Sequence, residues 1–414
     1  MELLSTPDDL KHGRVTVWNR HLTRTLDGLA LIWTVTENGR GLAAGRVDLP
    51  CLQAGERAAI ALPLPPPPAP LPGAEYRLDL SCESTRDGAW GTAGQALALE
   101  QFALPWPVRA RQWPNLPAGV RVQGQADAEA IVLRVGGAAL RWDRRDGRLA
   151  SWIAGGVERL ASGPVARYAL AQAGLEPVRR ELAQFDWEIL DSGGATVKVA
   201  TLHNNCASAP PIRCETTYCL APNGELQIRQ RSILAKGQPA LLRIGLELTL
   251  PAGFERMHWY GRGFNHDRKC AAFIGDYTAT ISEFSPQGVR GGCDDVRWGA
   301  FRNPDGEGLL ASGMPVRNFD ALHITDGDLE ADRHELDPGP GNAIRVKFDF
   351  SHPEAAADDG VYEGALVLRA LRPDETAEEF YETETVHAVA TGGGAGGHQG
   401  RSRVAGAGSQ VGIL

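Results

Sequence analysis

The sequence predicts an all-β chain built as two successive sandwiches, the second larger than the first. Two observations carry that expectation. Short runs in which apolar and polar residues alternate recur along most of the chain, bounded by glycine, proline or Asn-Gly. Apolar residues at helical spacing are scarce by comparison. A half-buried strand shows one face to the core, so its apolar residues fall at every second position.

The first strands are Arg14 to Asn19 and Ala30 to Thr36. Glu37-Asn38-Gly39 then closes a hairpin, because Asn-Gly accepts the positive φ angles of a type I′ turn. Arg46 to Leu49, Ala58 to Leu64, Glu75 to Cys82 and Leu97 to Ala103 follow. About six or seven strands in this length suit an immunoglobulin-like sandwich over residues 1–105, with Trp18 and Trp33 in its core. The run from Pro63 to Pro72 reads as a stiff loop, since proline cannot donate to a central ladder.

Residues 106–119, with Pro107 and Pro114 and little periodicity, read as a linker. A second β region spans residues 120–385. Its strands are Ala130 to Arg134, Ala139 to Trp142, Arg148 to Trp152, Thr196 to Leu202, Cys214 to Leu220, Glu225 to Ile233 and Leu241 to Leu250. Turns at 143–147 and 222–224 join neighbouring strands. The region is too long for a simple immunoglobulin sandwich and suits a large two-sheet supersandwich. A short helix is expected from Glu375 to Glu384, with Asp374 as its N-cap. The glycine-rich tail, residues 386–414, has almost no bulky apolar side chains and is expected to be disordered.

At 414 residues the chain can bury sizeable cores, and its net charge of −9 is spread along the sequence. No basic block points to nucleic acid. No apolar run approaches the ~18 residues of a transmembrane helix, and the N-terminus lacks the basic and apolar regions of a secretory signal. A cytoplasmic protein is the expectation. The seven cysteines include no Cys-x-x-Cys. Cys206, Cys214 and Cys219 lie near His203, but their spacing fits neither a zinc finger nor a ribbon, and buried small hydrophobes are expected instead. Neither a metal nor a cofactor is expected.

The most informative stretch runs from His258 to Trp298: His-Trp-Tyr-Gly-Arg-Gly-Phe-Asn-His-Asp-Arg, then Gly-Gly-Cys-Asp-Asp-Val-Arg-Trp. Asn265, Asp267, Arg268, Asp295 and Arg297 are candidates for the rim of a cleft for a polar ligand, because carboxylates and guanidinium forks bind neighbouring hydroxyls in pairs. Trp259, Tyr260 and Trp298 are candidates for stacking on the apolar face of such a ligand, with core or interdomain packing as the plainer reading. With Phe264 they also make a candidate docking face, since aromatics and arginine are enriched at interface cores.

This stretch resembles the C-terminal domain of the large bacterial-type β-galactosidases of glycoside hydrolase family 2. Further segments match that family in order. Gly13 to Arg20, Leu26 to Leu29, the strand through Trp33, and then Trp90, Gly94 and Glu100 to Phe102 look like its fourth domain. Trp142 to Gly147, Leu149, Trp152 and Phe319 to Leu336 look like its fifth. The resemblance implies a galactose-mutarotase-like supersandwich for the second unit and a β-galactoside sugar as substrate. It also implies a partner, a barrel-containing β-galactosidase chain, because the family's two catalytic carboxylates sit on a barrel that this sequence does not show. The expectation is therefore a C-terminal part or small subunit with no catalytic residue of its own, inactive alone and able to form a homo-oligomer. The alternative is a stand-alone carbohydrate-binding or scaffolding β protein, or a degenerate remnant. Two family segments are missing here, one after Tyr168 and one near His352 to Tyr362. Phe264 to Arg268 also lacks the family's Pro and Glu.

Overall fold

The computed structural model describes residues 1–69, 73–88, 91–108, 120–170, 179–204, 210–235, 241–262, 273–278, 292–323, 343–351 and 360–383. It is almost entirely β. The linker core at 109–119, residues 70–72 of the proline run and the tail beyond 383 lie outside the described residues.

The N-terminal unit packs a three-stranded sheet against a four-stranded one. The first has the order β1 (Glu2–Leu4), β2 (Arg14–Trp18), β5 (Arg57–Ala61). The second has the order β4 (Arg40–Asp48), β3 (Leu29–Glu37), β6 (Tyr76–Ser84), β7 (Ala96–Ala103). This is the expected sandwich. Leu31, Trp33 and Val35 alternate inward from β3 and meet Val15 and Val17 of β2, Leu78 and Leu80 of β6, and Cys82 in one core. At the hairpin tip Asn38 has φ 49° and Gly39 φ 83°, the pair of left-handed residues that a type I′ turn requires.

Trp18 corrects one expectation. On β2 the valines at 15 and 17 take the inward positions, so period-two alternation turns Trp18 to the outer face. There it is half-buried between two cations, with Arg57 3.9 Å and Arg20 4.6 Å from the ring centroid. A short helix, α1 (Pro7–Lys11), was also not expected. Thr6 caps it by accepting from the Asp9 N–H at 3.1 Å, with Pro7 next to the cap.

The second unit faces a five-stranded sheet onto a twelve-stranded one. The small sheet runs β12 (Val157–Leu160), β11 (Leu149–Ala154), β10 (Ala138–Asp143), β9 (Ala130–Val135), β8 (Gln123–Ala126). The large one runs β13 (Ser162–Leu170), β18 (Leu241–Leu250), β23 (Ile344–Ser351), β22 (Gly308–Leu322), β24 (Val361–Leu371), β17 (Leu226–Ile233), β16 (Ile212–Leu220), β15 (Ala195–Asn204), β14 (Arg179–Ile189). Branching from it are β19 (Arg256–Gly261), β20 (Phe273–Thr278) and β21 (Gly292–Arg302). Trp142 and Trp152 fill the space between the sheets, and Tyr218 meets Trp142 edge-on at 5.7 Å.

The C-terminal helix, α2, spans Ala377–Thr383 and starts later than expected. The cap is Thr376, whose hydroxyl accepts from the Glu379 N–H at 3.4 Å, rather than Asp374. Asp374 lies two residues before that cap and faces Arg372 at 3.6 Å instead.

Candidate functional site

The predicted aromatic and charged residues meet where β19 and β21 run side by side and the N-terminal sandwich abuts them. Trp259, Tyr260, Asp295, Arg297 and Trp298 are all there. Asn265, Asp267 and Arg268, with Phe264, lie outside the described residues.

The pleat separates the aromatics. Tyr260 and Trp298 are opposite partners in the β19–β21 ladder and share a face. They pack with Ala300, Leu310 and Leu371 beneath Ala377 and Phe380 of α2. Trp259, one residue from Tyr260, points the other way into the main core with Phe319 and Val296. All three rings are buried, at 3% exposure or less. The expectation of one free aromatic docking face is thereby corrected: adjacent strand residues cannot share a face, and α2 covers the side that Tyr260 and Trp298 do share. None of the three offers an open ring for a sugar.

The polar half of the cluster joins the two units. Glu75, just before β6, receives Arg297 through both prongs of the guanidinium, at 2.9 and 3.1 Å. The Glu75 carboxylate also accepts from Arg77 at 2.8 Å, and the Tyr260 hydroxyl approaches at 3.4 Å. Backbone bonds hold Glu75 from behind. Its N–H donates to the Asn38 side chain and its carbonyl accepts the Asn38 N–H, each at 2.9 Å. Burial pushes this carboxyl up, but Arg297 and Arg77 outweigh burial and leave it below the usual carboxylate range. Nearby, His258 Nε2 lies 3.0 Å from Glu378 Oε1, and the His258 ring tilts over Trp298 at 5.2 Å. That contact with His258 lowers the Glu378 carboxyl, against the upward push of burial.

Asp295 has φ 50°, unusual for a non-glycine residue. Its carboxylate pairs with Arg262 at 2.9 Å, and its carbonyl accepts from Arg297. The Arg262 N–H donates to the Asp294 carbonyl at 2.8 Å, and the Arg262 carbonyl accepts from Trp259 Nε1 at 3.3 Å. Arg262 and Asp295 are the more open members, their side chains 31% and 46% exposed. Glu75, Asn38 and Arg262 were not anticipated. An Asn-Gly turn signals a hairpin, but nothing local says that its asparagine will reach a glutamate 37 residues on.

Elsewhere, the expected cysteine cluster near His203 contains buried free thiols at Cys214 and Cys219, while Cys206 lies outside the described residues. His203 Nε2 bonds Thr201 Oγ1 at 2.9 Å.

Strand order and register thus define an all-β chain in which a seven-stranded sandwich is latched to a two-sheet supersandwich. The family described as β-galactosidase small chain matches residues 135–352, more than half of the sequence. The chain belongs to that family. A second match, β-galactosidase domain 4, covers residues 15–105. The β-galactosidase of Priestia megaterium is 28% identical over 384 residues, covering 86% of this chain and 36% of that protein. That of Vibrio cholerae is 25% identical over 387 residues, covering 84% and 36%. The chain therefore spans about a third of the length of the curated relatives it matches. Among solved structures it is similar to galactose 1-epimerase from Lactobacillus acidophilus, with 10% identity, a TM-score of 0.37 and coverage of 61% of this chain and 99% of that one. A putative aldose 1-epimerase from Escherichia coli gives 9% identity, a TM-score of 0.36 and the same coverage.

Proposed function

We propose that this chain is the C-terminal part or small subunit of a β-galactosidase. It would act on terminal non-reducing β-D-galactose only together with a barrel that supplies the catalytic carboxylates. The observation that carries this reading is the pair of consecutive matches, domain 4 at 15–105 and the small chain at 135–352. The role that fits the geometry is that of a rigid wall. The rings of the candidate site are consumed in packing and Arg297 in the seam, which leaves Asp295 and Arg262 as the described rim candidates, with Asn265, Asp267 and Arg268 beside them in sequence.

Retaining hydrolysis needs two carboxyl groups ~5–5.5 Å apart, one kept protonated near neutral pH. The carboxyls at the seam do not suit the acid role, because Glu75 and Glu378 are held low by their cationic or imidazole partners. Asp79 is pushed up by burial, but it lies on β6 and accepts from Gln101 at 2.5 Å within its own sheet. The purified chain alone is expected to turn over a chromogenic β-galactoside no faster than buffer. Co-expression with the remaining two-thirds of the Priestia megaterium relative is expected to restore turnover. Hydrolysis by the isolated chain that disappears on replacing one of its own Asp or Glu residues would refute the proposal. Galactose binding without any barrel would favour a stand-alone binding protein.

A further inference from the structure

The β19–β21 pair ends in a neck whose geometry is unusual for a ladder. Asp295 sits in the left-handed region, where a non-glycine residue persists only if its surroundings hold it. The register of β21 against β22 shifts between Val296 and Trp298, so Arg297 stands in the break. Register breaks of this kind re-aim a side chain away from the ladder. Here the side chain runs to the other unit and is met by Glu75, which is itself held by Arg77 and, through its own backbone N–H and carbonyl, by Asn38. The opposite strand is fitted to the same neck. A Cβ on Gly261 would come within 2.9 Å of the Val296 Cα, so β19 can approach this closely only with glycine there. Arg262 then closes the neck through the Asp294 carbonyl and the Asp295 carboxylate.

We propose that Glu75 is a positioning residue acting through Arg297. It holds the Asp295–Arg297 segment, which leads into the break in β21, and with it the Gly261–Arg262 end of β19, in this one conformation. The N-terminal sandwich thereby sets the shape of a strand pair in the second unit. The inference does not depend on the hydrolase reading, because each contact lies within this chain. The pair is well suited to the task. A two-pronged Arg–carboxylate contact fixes direction as well as distance, and side-chain exposures of 28% for Glu75 and 12% for Arg297 keep it from being an ordinary screened surface pair.

The test is hydrogen exchange in the full chain, comparing wild type with Glu75→Gln and Arg297→Lys. The reporter is the Arg262 amide, which donates to the Asp294 carbonyl. The reference amides are those of Trp142 and Val197 in the main core. Both variants are expected to speed exchange at Arg262 about tenfold or more, the scale of losing a charged hydrogen bond, with the reference amides unchanged. Asp27→Asn, which breaks the exposed Arg86–Asp27 pair of the same sandwich, should leave Arg262 as in wild type. Wild-type exchange at Arg262 in both variants would overturn the proposal. So would acceleration shared equally by Trp142 and Val197, which would make Glu75 a support of the whole fold rather than of the neck.

Discussion

Replacing Trp33 by alanine should cost about 3–5 kcal/mol of stability, the scale for emptying a buried indole site. β3 is an interior strand of its four-stranded sheet, paired with β4 and with β6 along its length. Trp33 points inward between Leu31 and Val35 and is 4% exposed. Its ring lies over Gly45 of β4, where a Cβ would stand 2.5 Å from the indole. The site is therefore shaped around that ring, and alanine would leave a void that two hydrogen-bonded neighbours cannot close. Trp18→Ala is the natural comparison. That ring is half-buried between Arg20 and Arg57 on the outer face, so less than ~1.5 kcal/mol should be lost. Chemical unfolding followed by fluorescence measures both. Equal losses for the two variants would contradict the packing described for β2 and β3.

The second large effect is set by pH. His203 is buried on β15, and its imidazole is pushed down from 6.5 to about 4, first by burial and then by the nearby Arg180 charge. A histidine whose folded pKa lies below its unfolded value favours folding above the unfolded pKa. That contribution is lost as pH falls, because the unfolded chain takes up a proton that the folded chain refuses. From about pH 6.5 down to about pH 4, His203 should withdraw about 3 kcal/mol of stability, and little more below that. His203→Gln keeps a partner for Thr201 but has no proton to gain. Denaturant midpoints from about pH 7.5 to about pH 4.5 should thus fall less for the variant than for the wild type. Glu75 and Glu378 add acid sensitivity to both proteins, since each is held below its ordinary value and is destabilising only once protonated. The difference between the two curves therefore isolates His203. Parallel curves would show that this imidazole is not shielded as described.

The all-β class, the turn at Asn38-Gly39, and the strands expected at 14–19, 30–36, 75–82 and 97–103 were legible in the sequence, the strands to within two residues at each end. Each depends on period-two alternation or on φ preferences that act over a few residues. Strand β18 at Leu241–Leu250 was legible to the residue for the same reason. The motif from His258 to Trp298 was equally visible as an unusual composition, and its order relative to the fourth-domain segments marked the family. What local pattern could not decide is which way those side chains face. β19 and β21 mix aromatic, charged and glycine residues, so alternation is weak there and both strands escaped notice. Whether Trp298 is a free platform or a buried brick depends on α2, which arrives some 80 residues later to cover it. Whether Arg297 reaches a sugar or a carboxylate depends on Glu75, 222 residues earlier in the chain. Contacts of that range are products of sheet order and of the angle between two units. Only the tertiary structure decides them, because no local preference distinguishes a charge waiting for a ligand from one already paired.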